Sequence, residues 1–114
     1  MTEKAFQDYY PECFAHCYGC GSMNGLGHQI KSVWDGEESV CHFQPKSYYT
    51  AIPGYVYGGL LASLVDCHGT GTAAAAGYRS ENRPMDTEPI SLLPCTWIIS
   101  NPRRWAMYSK SARR

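Results

Sequence analysis

One stretch constrains this chain more than any other: residues 58–78, GGLLASLVDCHGTGTAAAAGY. Leu61, Leu64, Val65, His68 and Thr72 recur at helical spacing, and Ala73–Ala76 add the strongest helix formers. About 20 residues at a rise of 1.5 Å make a rod of roughly 30 Å. Its glycines and threonines would leave such a helix poorly formed in isolation. The stretch therefore predicts a sheet wrapped around one long helix, an α+β arrangement. Ala62, Gly69, Gly71 and Ala73 are small enough for a strand layer to come close to the helix backbone.

The rest of the chain supplies short elements. Residues 1–12 read as a short helix or an irregular arm, and residues 13–28 as a glycine-rich turn region. Two strands are expected, Gln29–Trp34 and Ser39–Gln44, joined by a turn at Asp35-Gly36. In the second strand Val40 and His42 alternate with Cys41 and Phe43, the two-residue period of a half-buried strand. Residues 45–56 form a loop punctuated by Pro45, Pro53 and Gly54, and residues 79–89 are polar and turn-rich. There are no internal repeats.

At 114 residues, 44% hydrophobic and 18% charged, the chain has the size and composition of one globular domain. Ten basic and ten acidic groups cancel, which excludes the electrostatic footprint of a nucleic-acid binder. No apolar run reaches the roughly 20 residues that span a bilayer. The first residues lack an apolar signal core, so the expected compartment is the cytosol. The zero net charge is uneven, however. Residues 1–89 hold five Lys/Arg and ten Asp/Glu, a formal −5, whereas residues 90–114 hold five Lys/Arg and no acid, a formal +5.

Six cysteines stand at positions 13, 17, 20, 41, 67 and 95. Without a secretory signal they argue weakly for disulfides. Cys17-Tyr18-Gly19-Cys20 is a CxxC, with Cys13 and His16 beside it. A structural zinc site commonly takes two such pairs, and only one is present. Cys13, His16 or His28 would have to complete it, and a tight turn is the simpler reading.

The segments CYGCG…GL and PGYVYGGLLASLVDCHGTGTAAAAGYR resemble hotdog-fold thioesterases of the phenylacetate-pathway (PaaI) type. The resemblance covers roughly residues 13–80. Its most specific part is P-G-x-V-x-G-G followed by an aspartate. The family's usual histidine before the glycine pair is Tyr57 here, and Asp66 lies nine residues on. The resemblance implies a hotdog fold, an antiparallel sheet wrapped around one long central helix. It also implies hydrolysis of acyl-CoA or another acyl thioester in a homodimer, or a dimer of dimers where the fold is complete, with sites at the dimer interface; no cofactor or metal is expected, and the charge and hydropathy already exclude nucleic acid and a membrane.

The chemistry fits those residues. A helix N-terminus presents unpaired N–H groups and partial positive charge to a thioester oxygen. Gly58 or Gly59 there leaves no Cβ in the way. Asp66 then serves either as general base toward water or as nucleophile. It stands seven residues from Gly59, about 10 Å along the helix, so two chains packed antiparallel are needed to bring both groups to one carbonyl. Tyr57, Gly54, Ser63 and His68 are the expected substrate-binding residues. For His68 a polar core or interface role is the competing reading, and for Ser63 and Thr70 it is local hydrogen bonding. Tyr48-Tyr49 either lines an acyl channel or packs in the loop.

Residues 90–114 do not resemble the family's closing strands. Back-translated with Ser as TCN and Leu as CTN, and read from the third base of each preceding codon, the stretch from residue 90 to residue 106 admits the sixteen residues ITASLHVDYLKPTPLG at every position. Trp97 and Trp105, each with a single codon, force the Asp and the last Gly. A change of reading frame near Pro89 is therefore expected, dividing the chain into residues 1–89 of a hotdog domain and an aberrant 90–114. Without its later strands the chain is expected to fold poorly or aggregate. Three rival readings stand beside the hydrolase. They are a non-catalytic acyl-thioester binder on the same fold, a small zinc or redox module built on Cys13, Cys17 and Cys20, and a genuine partner-binding basic arm at 90–114.

Overall fold

The structure, a computed structural model, describes residues 3–87. The expected frame change near Pro89 and the basic segment lie outside the described residues. The described chain is α+β. Two 3-10 turns, Phe6–Tyr9 and Glu12–Phe14, precede an antiparallel hairpin of β1 (Ser32–Asp35) and β2 (Glu38–Cys41), and one long helix α1 (Gly58–Ser80) follows.

The hairpin is shorter than the sequence pattern suggests. Gln29 has φ of 55°, outside the extended region, and its side-chain amide donates to the carbonyls of Gly21 and Asn24. Ile30 donates its N–H to Gly19, so the chain before Ser32 is held by the glycine-rich turn and not by a strand. Because Ser32 pairs with Cys41, residues 42–44 have no strand opposite them in the hairpin. The turn centre also sits one residue later than expected. Asp35 pairs with Glu38, leaving Gly36-Glu37 as the loop, and Gly36 takes φ of 64° at its first position. That is the residue a type II′ hairpin turn requires there.

Ser32, Trp34, Ser39 and Cys41 share the hairpin face turned to α1, as the register dictates. Three contacts fasten that face. His68 bridges both strands, Nδ1 to Ser32 Oγ at 2.9 Å and Nε2 to Ser39 Oγ at 3.4 Å. Thr72 donates its hydroxyl to Ser39 Oγ at 2.8 Å. The Arg79 guanidinium lies 3.8 Å over the Trp34 ring and donates to the Gly36 carbonyl.

The N-terminal arm completes the packing. Phe6 is buried against Trp34, ring centroids 5.2 Å apart. Gln7 is fully buried; it donates to Ser32 Oγ and to the Cys67 carbonyl and accepts the Ser32 N–H at 2.8 Å. The close approach expected of a strand layer at Gly71 is made by this arm. A Cβ on Gly71 would stand 2.7 Å from Gln7 Nε2 and 3.3 Å from the Tyr10 hydroxyl. Cys20, Ile30 and Cys67 form the buried centre, with Tyr10, Cys41, Phe43 and Leu64 around it.

Both ends of α1 have clear local causes. Tyr57 is its N-cap and makes no side-chain cap bond. At the other end Asn82 takes φ of 55°, Arg83 N–H reaches the Tyr78 carbonyl and Asn82 N–H the Arg79 carbonyl. These are the paired bonds of a Schellman motif, with Asn in the left-handed position. Among the described residues no helix is long and apolar enough to cross a membrane.

The loop before α1 is braced. Thr50 bridges Val56, and Tyr55 N–H closes on the Ile52 carbonyl around Pro53-Gly54. Gly54 has φ of 92°, the glycine position of a type II turn. Gly54→Ala is expected to lower stability by about 1–2 kcal/mol, the cost of a left-handed alanine. Chemical denaturation at an unchanged slope measures it.

Candidate functional site

Two groups of residues carry chemistry. The first is the N-terminus of α1. Gly58 and Gly59 are exposed, no acidic residue occupies the first turn, and Tyr57 contributes no capping bond. Their N–H groups belong to the set a helix leaves unpaired. A Cβ built on Gly58 meets nothing within 4 Å apart from its chain neighbours, so no other part of the described residues fills the space beside it. Gly59 lies beneath the Tyr57 ring, whose Cε2 is 2.6 Å from where a Cβ would stand. The Tyr57 hydroxyl is 3.3 Å from His28 Nε2. His28 is buried edge-on among Tyr18, Phe43 and Tyr49, and its Nδ1 has no hydrogen-bond partner among the described residues.

The second group lies further along the helix. Asp66 is exposed and lines a cavity of about 320 Å³ with Tyr10, Cys17, Cys20, Cys67 and Thr70. Cys17, Cys20 and Cys67 are free thiols whose sulfurs all lie within 4.8 Å of one another, with Cys17 and Cys67 3.9 Å apart. Burial opposes ionisation of Cys17. Hydrogen bonding from the Cys20 and Gly19 backbone and from the Cys20 and Cys67 thiols outweighs that and leaves it below its ordinary value. Burial drives Cys20 the other way, to about 11. It also raises Cys67, with the neighbouring Cys20 and Cys17 adding to the effect. Tyr10 beside them rises to about 12, through burial first and the three sulfurs next.

No known protein family, curated protein or solved structure matches the chain.

The expected site residues thus fall in several places. Gly58, Gly59 and Tyr57 gather at the helix N-terminus, and Gly54 shapes the turn that leads into it. Asp66 belongs to the cavity two turns away. The Ser63 hydroxyl donates to the Gly59 carbonyl one turn back, the local bond that was one of its two readings. His68 has both ring nitrogens engaged by hairpin serines, which places it in the polar packing of α1 on the sheet. Tyr48 and Tyr49 stack edge-on, Tyr48 exposed and Tyr49 half-buried against His28. The expected thiol set is revised as well: Cys17 and Cys20 are joined by Cys67 from the helix and not by Cys13. Cys67 shares the buried stripe of Leu60, Gly71 and Ala75, and that spacing was the available signal.

Proposed function

We propose that the chain is a hotdog-type acyl-thioester hydrolase whose site is shared by two copies. The observation that carries the reading is the open, uncapped glycine terminus of α1 with Asp66 on the exposed side of the same helix, seven residues on. One rigid helix holds the two groups about 10 Å apart, too far to act on one carbonyl carbon. The apolar residues beside Asp66 favour a second copy there. Leu61 is 52% and Val65 76% exposed, and a Cβ on Gly69 would meet nothing within 4 Å. An apolar helix face of this kind gains from being covered.

In the pair, the thioester oxygen accepts hydrogen bonds from the glycine N–H groups of one chain. The carboxylate of Asp66 in the other chain takes a proton from the attacking water, or attacks the carbonyl carbon itself to give a mixed anhydride that water then hydrolyses to the free acid and the regenerated carboxylate. The C–S bond breaks and the thiolate departs. Donors fixed in place before the reaction stabilise the charge that develops on oxygen. Tyr57 stands over the glycine pair, where it borders the substrate, and the arm, hairpin and α1 are the part of the hotdog fold the described residues would represent.

The test is hydrolysis of a series of acyl-CoA esters, followed through release of free thiol. It is run on the 114-residue chain and on one continued after Pro89 in the shifted frame. Turnover is expected in the reframed chain and little or none in the other. Absence of turnover in both overturns the hydrolase reading. Retained acyl-CoA binding without turnover would make the protein a binder on the same fold.

A further inference from the structure

We propose that Cys17, Cys20 and Cys67 form a three-thiolate site for a soft divalent ion such as Zn²⁺, its fourth coordination position facing the cavity beside Asp66. The inference does not rest on the hydrolase reading.

The geometry carries it. Zn–S bonds of about 2.3 Å set at tetrahedral angles place their sulfurs about 3.8 Å apart. Cys17 and Cys67 are 3.9 Å apart, and all three sulfurs lie within 4.8 Å of one another. A disulfide would need two of them at about 2.05 Å, and these thiols are free. The set spans 50 residues of sequence, so it exists only in the folded chain.

The surroundings are shaped for it. A Cβ on Gly19 would fall on the Cys67 sulfur, so only glycine lets the CxxC turn close onto the helix. Gly21 N–H bonds to the Cys17 carbonyl at 2.7 Å, folding the CxxC into a tight loop. Cys20 and Cys67 are each 5% exposed, while Cys17 is exposed at the mouth.

The chemistry selects the ion. Three thiolates suit Zn²⁺ and other thiophilic metals and give Mg²⁺ or Ca²⁺ no oxygen cage. Three sulfurs this close cannot all ionise without a cation between them. Binding replaces the remaining thiol protons with metal–sulfur bonds and releases those protons to solvent. Three protein ligands with a fourth position on a cavity is the arrangement of an open zinc site, where water or an incoming thiolate can bind.

The test uses the full chain under reducing conditions. Zinc per chain is measured after gel filtration, and Co²⁺ titration is followed for sulfur-to-cobalt charge transfer. Wild type and Cys41→Ser are each expected to hold one ion. Cys67→Ser is expected to lose at least about 100-fold in affinity, beyond the 10–100-fold cost of an outer partner. Absence of stoichiometric metal overturns the proposal. Unchanged loading in Cys67→Ser also overturns it, because the ion would then sit on the N-terminal thiols alone. If the chain is recovered only as aggregate, refolding with and without Zn²⁺ decides. Soluble recovery is expected to rise with zinc in wild type and not in Cys67→Ser, since an ion there ties the turn to the helix. Equal recovery overturns it.

Discussion

In the chain continued after Pro89 in the shifted frame, which is the active reference, Asp66→Asn is expected to slow acyl-CoA hydrolysis by about 10²–10⁴-fold, the contribution of a positioned general base. Asparagine keeps the shape of the side chain and removes only its basicity and charge. Asp66 is exposed, so the change should leave folding nearly untouched. The sharper form of the test mixes two inactive chains. Gly58→Pro removes one of the two candidate donor N–H groups. It is well tolerated at the first position of a helix, and Tyr57 already has the extended ψ of 145° that a following proline favours. Losing such a donor costs about 10²–10³-fold. If each site takes glycine amides from one copy and Asp66 from the other, a mixed pair contains one intact site. Equal mixing should then restore about one quarter of wild-type activity, since half the pairs are mixed and each has one good site. A mixture no more active than its parents would show that the two groups do not meet across a pair.

Gln7→Ala is expected to cost about 3–4 kcal/mol. Its amide makes bonds to Ser32 Oγ, the Cys67 carbonyl and the Ser32 N–H in a fully buried position. Alanine would leave the buried Ser32 N–H without a partner, which costs about 1–3 kcal/mol. The lost packing adds a cavity term. Lys31→Ala serves as the contrast. It breaks the ion pair with Asp8, whose side chains are each 34% exposed, and should cost less than about 1 kcal/mol. Shifts in denaturant midpoint measure both. A Gln7→Ala shift no larger than that of Lys31→Ala would mean the arm hardly contributes.

The helix was the most legible element. Its start at Gly58 follows from the glycine pair after an extended Tyr57, and its end lies two residues past the expected one because Asn82 supplies the left-handed cap. Which side of it faces inward was not legible. Apolar residues run all the way round, so Leu61 and Val65 end up exposed while Gly71 is buried. The hairpin was readable from Asp35-Gly36, but its register and length were set by Gln29 and by the Gly19 carbonyl, which no two-residue period reveals. Gln7 carried no signal, since a polar residue in an arm looks solvated until its three partners converge. For Asp66 and the glycine pair the spacing was readable, and the structure places the glycines at the start of α1 and Asp66 exposed two turns on. The thiol trio was readable only as far as the CxxC, because Cys67 joins it through tertiary packing.

The buried amide of Gln7 also bears on how the chain is made. Its partner carbonyl on Cys67 lies 60 residues downstream. At 5–20 residues per second, Gln7 is synthesised roughly 3–12 s before that carbonyl is. Before that, the partners already made are Trp34 for Phe6 and Ser32 for Gln7. The first segment synthesised can therefore complete its docking only once the middle of the helix has emerged.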